Sequence, residues 1–332
     1  MGDRGLLDLI ISRIPGISAR ERFILCKKFD REEEISILSK EDIEKILSRP
    51  LNRSWSMDDI RGQAEQDERT ARRRDIRWVS WGLPEYPPQL REIFDPPAVL
   101  FFRGSLPDSE TTLAAVVGTR HPAQAAAAQA YNIARELGAA GIPVVSGLAL
   151  GIDAMAHRGN LDGGAPTVAV LGSGADEIYP AANRTLARRI LEMGGVLISE
   201  YPPGTGPMRW HFPARNRIIS GLARGTVIVE APAKSGALIT AQFTLDQGRD
   251  LWAASAGVAS RNGAGTAKLA EEGAGVIESA AGILSEWNWK GRYAEEQAGP
   301  AEYAAPVLET ALPSPAGKAL AVSLARSLDI KL

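Results

Sequence analysis

Residues 143–153 read Pro-Val-Val-Ser-Gly-Leu-Ala-Leu-Gly-Ile-Asp, a short apolar run that turns into glycine and small residues before a helical stretch begins. A strand that is apolar throughout is typical of a parallel sheet that is covered on both faces. Similar runs recur along the chain, with helical stretches and short connections between them. This alternation predicts an α/β domain built on a doubly wound, mostly parallel sheet.

The predicted domain spans residues 81–288, and its elements can be placed from the same pattern. The candidate strands are Val99–Phe102, Ala114–Gly118, Pro143–Ser146, Thr167–Leu171, Val196–Ser199, Thr226–Glu230, Leu251–Ala254 and Gly275–Ile277. The candidate helices are Gln124–Leu137, Ala154–Leu161, Asn183–Met193, Arg215–Leu222 and Ala237–Gln247.

Three flanking segments differ from this domain in composition. Residues 1–60 are predicted to form a small all-helical domain, in which Pro15-Gly16 makes a turn and Ser39 is an N-cap. The two helices around the turn at Pro15 resemble a helix-hairpin-helix or SAM-like domain. Helix-hairpin-helix elements often hold a phosphate with their turn amides, but we favour a small packing domain. Residues 61–80 are expected to be a charged linker. Residues 289–332 are expected to be an Ala/Pro-rich tail, too short for a complete winged helix.

Composition excludes several classes of protein. The chain has 332 residues and one cysteine, Cys26, so it can form no internal disulfide and no four-thiolate zinc site. Its three histidines are scattered, and we expect no metal and no cofactor. No apolar run is long enough to span a bilayer and no cleavage signal is visible, so a cytoplasmic location is expected. The net charge of −2 counts against a general polyanion binder but leaves room for a local basic groove.

Glycine and serine residues follow the predicted strands at one edge of the sheet. Ligands of open parallel sheets bind outside the carboxyl ends of the strands, where glycines admit a ligand and helix amides point outward. A single Gly-Ser pair is more typical of a turn. Five such loops at the same edge of the sheet predict a rim that accepts phosphates. This rim consists of Gly118, Ser146, Gly147, Gly172, Ser173, Gly174, Ser235 and Gly236. No dinucleotide fingerprint or Walker A loop is present, so ATP hydrolysis is not indicated.

The connection between Glu200 and Glu230 contains no acidic residue. It carries arginines at 209, 215, 217 and 224 beside Trp210, His211 and Phe212. Cations that follow a backbone and aromatics that stack on bases are what binding to a single strand requires. Alternatively, the aromatics belong to the core and the arginines pair with the two glutamates. From this segment alone, both interpretations stay open.

Several polar residues allow either a chemical or a structural role. Asp153 and His157 lie four apart on one helix face and could form an acid–base pair, although a structural pair is favoured. Glu200 could be a general base, but we expect it to orient Arg215 or Arg217. Asn216 is expected to be a helix-surface or capping residue.

At these residues the sequence resembles the DNA-processing (DprA/Smf) family. The shared blocks are 117–120 (VGTR), 146–157 (SGLALGIDAMAH), 172–174 (GSG), 179–183 (YPAAN), 199–202 (SEYP), 212–222 (FPARNRIISGL) and 229–241 (VEAPAKSGALITA). They keep their order over most of residues 81–280. The resemblance implies a Rossmann-like core that binds single-stranded DNA. It also implies a homodimer that loads the RecA recombinase onto incoming DNA in natural transformation and recombination.

The resemblance also implies roles for individual residues. Arg120 would grip a phosphate, Arg209 would supply a second cation, and Phe212 would stack on a base. Arg215 and Arg217 would line or brace the groove. Further backbone contacts would come from Arg184 and Lys234, and amides or hydroxyls from the rim glycines and serines. Residues 254–257 (ASAG) and 262–265 (NGAG) depart from the family's pattern. Whether the far edge of the groove is formed as in the family is therefore in doubt.

Two other function classes were weighed. The lysine-decarboxylase-like phosphoribohydrolases have a similar sheet edge, but they carry a Pro-Gly-Gly-x-Gly-Thr loop where this chain has Lys234-Ser235-Gly236. A purely structural interaction protein would leave the acid-free arginine segment unexplained. We therefore expect a DNA-binding protein without catalysis.

Overall fold

A nine-stranded sheet runs through the protein, as described by a computed structural model that covers residues 3–290. Its strands are β1 (Arg77–Ser80), β2 (Val99–Gly104), β3 (Ala114–Val117), β4 (Val144–Ser146), β5 (Val168–Leu171), β6 (Val196–Ser199), β7 (Gly225–Ile228), β8 (Asp250–Ala254) and β9 (Gly275–Ile277). The spatial order is β1-β2-β6-β5-β4-β3-β7-β8-β9. Strands β3 to β9 pair in parallel, and β1 and β2 are antiparallel additions beside β6.

The described helices begin and end as follows: α1 (Asp3–Arg13), α2 (Ala19–Lys28), α3 (Glu32–Ser36), α4 (Lys40–Leu47), α5 (Met57–Arg73), α6 (Pro88–Arg91), α7 (Gln124–Ala139), α8 (Ile152–Asp162), α9 (Arg184–Glu192), α10 (His211–Leu222), α11 (Gly236–Asp246), α12 (Ser255–Val258), α13 (Ala264–Glu271) and α14 (Ala280–Glu286). None of the helices within residues 3–290 is both long and apolar enough to cross a bilayer.

Both faces of the sheet are covered because alternate strand residues point to opposite sides. In β3, Ala114 and Val116 pack with α7, α8 and α14, whereas Ala115 and Val117 pack with α10 and α11. The predicted α/β class and mostly parallel sheet are confirmed. Each predicted strand forms within two residues of its expected ends.

Chain order creates a switch point between β3 and β7. From β3 the chain adds β4, β5 and β6 outward on one side, and the next strand, β7, returns to pair with the other side of β3. The two connections that leave β3 and β7 therefore diverge to opposite faces. Such a divergence opens a crevice at the carboxyl ends of the strands.

The N-terminal helices share a core with the sheet instead of forming a separate one. Leu7, Ile10 and Ile60 pack in one cluster with Val99 and Phe101 of β2. The expected cap at Ser39 is confirmed, since its side chain accepts a hydrogen bond from the Asp42 amide at the start of α4.

The expected linker at 61–80 is wrong. These residues hold most of α5, which starts at Met57, and all of β1. Ile60, Ala64, Asp67 and Ala71 recur at helical spacing and are buried, while the arginines occupy the exposed face. The charged surface of an amphipathic helix thus resembled a linker. The expected tail at 289–332 lies, from residue 291 onward, outside the described residues.

Candidate nucleic-acid interface

A cleft of about 630 Å³ lies at the switch point, outside the carboxyl ends of β3 and β7. We call it the switch-point cleft. Its walls are the loop after β3, the start of α10 and the loop between β7 and α11. Its principal lining residues are Gly118, Thr119, Arg120, Asp153, Tyr179, Arg209, Phe212, Arg215, Asn216, Lys234, Ser235 and Gly236.

The charge of this lining is strongly positive. It contains four cations and one carboxylate, Asp153, although the whole chain has a net charge of −2. Arg120, Arg209 and Lys234 are exposed, and none of them has an ion-pair partner within residues 3–290. Their charges are therefore available to a polyanion.

Phe212 projects from the first turn of α10 between two other groups. The Arg120 guanidinium carbon lies 5.5 Å from the centre of the Phe212 ring, and the Tyr179 ring centre lies 5.6 Å from it at a tilt of 44°. A side chain at Gly172 would come within 2.8 Å of this ring, so glycine leaves room for it. Phe212 is half-buried and keeps part of its ring open to the cleft.

Tyr179 was missed in the assignment of binding residues, although it lines the cleft and is 44% exposed. The sequence signal for it is the Tyr-Pro pair at 179–180, which belongs to one of the blocks shared with the DprA/Smf family. The structure has a cis peptide bond between these two residues.

Helix α10 begins at His211, four residues before its expected start at Arg215. Pro213 is compatible with this start, since the first turn of a helix needs no amide hydrogen from proline. As a result, Phe212 and Arg215 are both held by the helix and not by a loop.

Arg215 is buried and braces the floor of the cleft. Its guanidinium donates to the carbonyl oxygens of Gly147, at 2.7 Å, and Val170. A Cβ at Gly147 would overlap this guanidinium, which explains the glycine. Burial lowers the pKa of Arg215 to about 10, so the side chain stays charged at neutral pH.

Arg217 points away from the cleft. It is 3% exposed and pairs with Glu200 at 2.6 Å and Asp95 at 3.1 Å. Burial favours the neutral carboxyl, but the charge and hydrogen bonds of Arg217 hold the pKa of Glu200 below its ordinary value. The expected orienting contact of Glu200 is thus with Arg217. Arg217 does not line the switch-point cleft, so its place there fits a bracing role.

Asp153 and His157 have different partners. Asp153 accepts hydrogen bonds from the amides of Gly147 at 3.1 Å and Ala149 at 3.3 Å, and burial raises the pKa of its carboxyl. His157 is fully buried, with Nδ1 2.8 Å from the Thr167 hydroxyl, and burial lowers its pKa to about 3. Both residues stabilise the β4–α8 region, so a structural role fits their geometry.

Not every residue of the expected rim reaches the cleft. The buried hydroxyls of Ser146 and Ser173 donate to the carbonyls of Val116 and Glu177. The Gly174 amide donates to Thr205. Arg184 is exposed at the start of α9, outside the lining of the cleft. These four residues were expected to contact the ligand because the sequence does not distinguish one strand end from another. In the structure the cleft lies at the ends of β3 and β7.

The remaining expected residues surround the start of α11. Ser235 accepts a hydrogen bond from the Ala237 amide at 3.2 Å as its N-cap, and Asn216 donates to the Gly236 carbonyl at 3.2 Å. Gly118 lies against Ile152 in the loop after β3. This arrangement ties α10 to the loop that carries Lys234.

Glu230 follows β7 and is fully buried. It accepts hydrogen bonds from the Ala123 amide at 2.8 Å and from the Ser260 hydroxyl. Of the alternative that the arginines pair with the two glutamates, the Glu200 part is therefore correct for Arg217, and the Glu230 part is wrong.

The altered residues 254–257 and 262–265 lie beside Glu230 and do not line the cleft themselves. Gly265 nevertheless supports the lining, because its amide donates to Ala231 in the loop that leads to Pro232 and Lys234.

The lining as a whole combines unpaired cations with two aromatic rings and only one acid, which itself accepts two backbone amides. Cations attract phosphates, and aromatic rings stack on bases. The arrangement can therefore hold a phosphate backbone together with an unpaired base.

Comparison with known proteins identifies the family of this chain. The family model for DNA recombination-mediator protein A matches residues 77–288. The DNA processing protein DprA of Bacillus subtilis is 35% identical over 260 residues, covering 74% of this chain and 87% of the relative. The corresponding protein of Streptococcus pneumoniae is 39% identical over 204 residues, covering 61% and 72%.

Solved structures give the same family. The crystal structure of DprA from Streptococcus pneumoniae superposes with a TM-score of 0.69 at 31% identity, covering 86% of this chain and 98% of that one. DprA from Helicobacter pylori, described by its single-stranded DNA binding mode, gives a TM-score of 0.55 at 28% identity over 64% and 96%. The chain therefore belongs to the DNA recombination-mediator protein A family, the DprA/Smf proteins.

Proposed function

We propose that this protein binds single-stranded DNA in the switch-point cleft, with little preference for sequence. The observation that carries the proposal is the set of Arg120, Arg209 and Lys234, exposed and without ion-pair partners in residues 3–290, around the ring of Phe212. Phosphates would lie on the cations, and one base would stack on the ring. Every base has a π-face, so this kind of binding tolerates any sequence.

A single strand fits these groups better than a duplex does. Phe212 and Tyr179 offer ring faces within a cleft, and only an unstacked base can meet them. The Helicobacter pylori relative, which is described as binding single-stranded DNA, supports the same choice.

We propose further that the bound strand is passed to the RecA recombinase, in recombination and in the uptake of DNA during natural transformation. This step rests on membership of a recombination-mediator family. The protein would work in the cytoplasm, where RecA acts.

The protein would act by binding and not by catalysis. Asp153, the carboxylate of the cleft lining, already accepts two backbone amides, and Glu200 is paired with Arg217. A hydrolase of the phosphoribohydrolase group would need a carboxylate free to activate water.

We propose a homodimer as the working form. Leu245 of α11 and Val276 of the edge strand β9 are each 54% exposed, and such apolar side chains are candidates for contacts with a second copy. Light scattering should give twice the chain mass at micromolar concentration. The mass of a single chain under those conditions would contradict the dimer.

The proposal is tested by measuring binding to a fluorescent oligothymidylate and to a duplex of equal length across a salt titration. Tight, salt-sensitive preference for the single strand is expected. Failure to bind at low salt would contradict the proposal and would favour a small nucleotide ligand. If the strand is bound, RecA filament formation on DNA coated with a single-strand-binding protein should be faster when this protein is added; an unchanged rate would contradict the loading step.

A further inference from the structure

A second cleft, of about 810 Å³, lies on the other side of α10 from the switch-point cleft. One wall is the turn between α1 and α2, from Pro15 to Ala19, and the other is formed by the segment that leads into α10. Residues that line it include Arg22, Arg53, Glu200, Trp210, His211 and Arg217. None of the binding roles assigned above uses this cleft.

The start of α10 forms a ridge between the two clefts. Arg209, Phe212 and Asn216 face the switch-point cleft, whereas Trp210, Ala214 and Arg217 face the second one. Residues three or four apart share a helix face, so adjacent positions diverge. Arg209 and Trp210, adjacent in sequence, therefore lie on the two sides of this ridge.

Trp210 has the properties of a stacking platform. It is 68% exposed, although an indole is one of the largest apolar side chains. Its ring meets the His211 ring edge-on at 5.9 Å, and His211 in turn stacks on Tyr201 at 3.7 Å and contacts the Gly172 carbonyl through Nδ1 at 3.1 Å. The indole thus rests on a fixed stack and stays open to solvent.

Two arginines of the second cleft have no ion pair of their own. Burial lowers the pKa of Arg22, and the nearby charge of Glu200 partly offsets this effect. Arg53 is exposed and Arg22 is half-buried, and neither has an ion-pair partner in the part of the chain that the structure describes. The Nε of Arg22 is buried without a hydrogen-bond partner. The carboxylates of this cleft, Glu200 and Asp95, are both paired with Arg217.

The backbone amides at the start of α2 are not available to bind a phosphate. The Glu21 carboxylate accepts from the Ser18 amide at 2.7 Å and pairs with Arg49, so this helix end already has an anion. The available groups are the indole and the two arginines.

We propose that single-stranded DNA continues from the switch-point cleft across the ridge, stacks a base on Trp210 and places its next phosphates on Arg53 and Arg22. This inference rests on the proposed function and adds the N-terminal helices to the DNA-binding surface. It predicts that affinity grows with strand length until both clefts are occupied.

The test measures affinity for oligothymidylates from about 4 to about 16 nucleotides, the range of site sizes that single-strand-binding folds cover. Trp210→Ala should bind the shortest strand as the parent does and lose about 5- to 150-fold on the longest, the loss of one stacked base. Arg53→Ala should flatten the salt slope by about 0.7 on the longest strand only. Phe94→Ala and Arg72→Ala are matched controls, exposed and outside both clefts, and should change nothing.

The outcomes separate this inference from the proposed function. Equal affinity of Trp210→Ala and Phe94→Ala at every strand length would overturn the proposal that DNA binds in the second cleft. The proposal for the switch-point cleft would stand. The exposed indole would then be a surface for a protein partner. An equal loss at every length would place Trp210 in the first cleft and also overturn the inference. No binding of the parent at any length would overturn both proposals.

Discussion

Phe212 shows how a single residue can serve both packing and binding. Half of its environment is protein, with Gly172 beneath the ring and Tyr179 beside it, and the remainder opens to the cleft. A fully exposed phenylalanine would not hold its position, and a fully buried one could not meet a base. The core alternative for this residue is therefore only partly correct.

Replacing Phe212 by alanine should weaken binding to single strands by about 1–3 kcal/mol, because one base loses its stacking partner. Fluorescence anisotropy with an oligothymidylate measures the change. Phe212→Tyr, which keeps a ring, should bind as the parent does. Unaltered binding by the alanine variant would assign Phe212 to packing alone.

His157 should make stability depend on pH. Its pKa is about 3 in the folded protein and near 6.5 when unfolded, because burial penalises the charged ring. The unfolded chain binds the extra proton as pH falls through 6.5, so stability is present above that pH and is lost toward pH 3.

Between pH 7 and pH 5 this loss should be about 2 kcal/mol, measured by urea unfolding. His157→Leu removes the titrating group, so the free energy of unfolding of this variant should depend less on pH. This holds even if the variant is less stable overall. Parallel pH profiles for the two proteins would contradict the assignment. Glu21, whose pKa is lowered to about 2 mainly by its hydrogen bond with Arg49, titrates below this window.

At the scale of elements, buried parallel strands and their helices could be predicted because hydrophobic runs are a local signal. Strand β1 could not, because its sequence Arg-Trp-Val-Ser becomes a strand only by pairing with β2. Helix α5 was hidden by its charged face, since only five of its 17 residues are buried. The early start of α10 was not predicted, and the structure tolerates Pro213 there because it lies in the first turn.

The residues of the candidate site could also be predicted only in part. Arg120, Arg209, Phe212 and Lys234 were expected and do line one cleft. Ser146, Ser173 and Arg184 were expected and do not, because no local pattern shows which strand ends meet at the switch point. Tyr179 required the fold, since its ring comes to Phe212 from a distant loop.

Helix α5 should contribute to the stability of the whole described region. Ala64→Lys would force a long charged side chain into the core that α5 shares with α1 and should cost more than about 2 kcal/mol in urea unfolding. Gln63→Lys, the exposed neighbour, should cost almost nothing. Equal stability of the two variants would restore the linker interpretation.

For the whole molecule, the distribution of charge matters more for the binding of polyanions than the net charge does. A net charge of −2 coexists with a cleft lining of four cations and one carboxylate. Acids elsewhere are engaged in pairs such as Arg13–Asp67 and Arg217–Glu200. The molecule can therefore avoid binding to polyanions in general and still attract a strand to one cleft.

The central claim, that the switch-point cleft holds single-stranded DNA, is tested most directly by the salt dependence of binding for the parent and for Arg120→Ala/Arg209→Ala. Loss of two phosphate contacts should weaken binding at low salt and flatten the plot of log K against log salt by about 1.4. Arg72→Ala, outside the cleft, should keep the parent's slope. An affinity and slope of the double variant equal to the parent's would contradict the account.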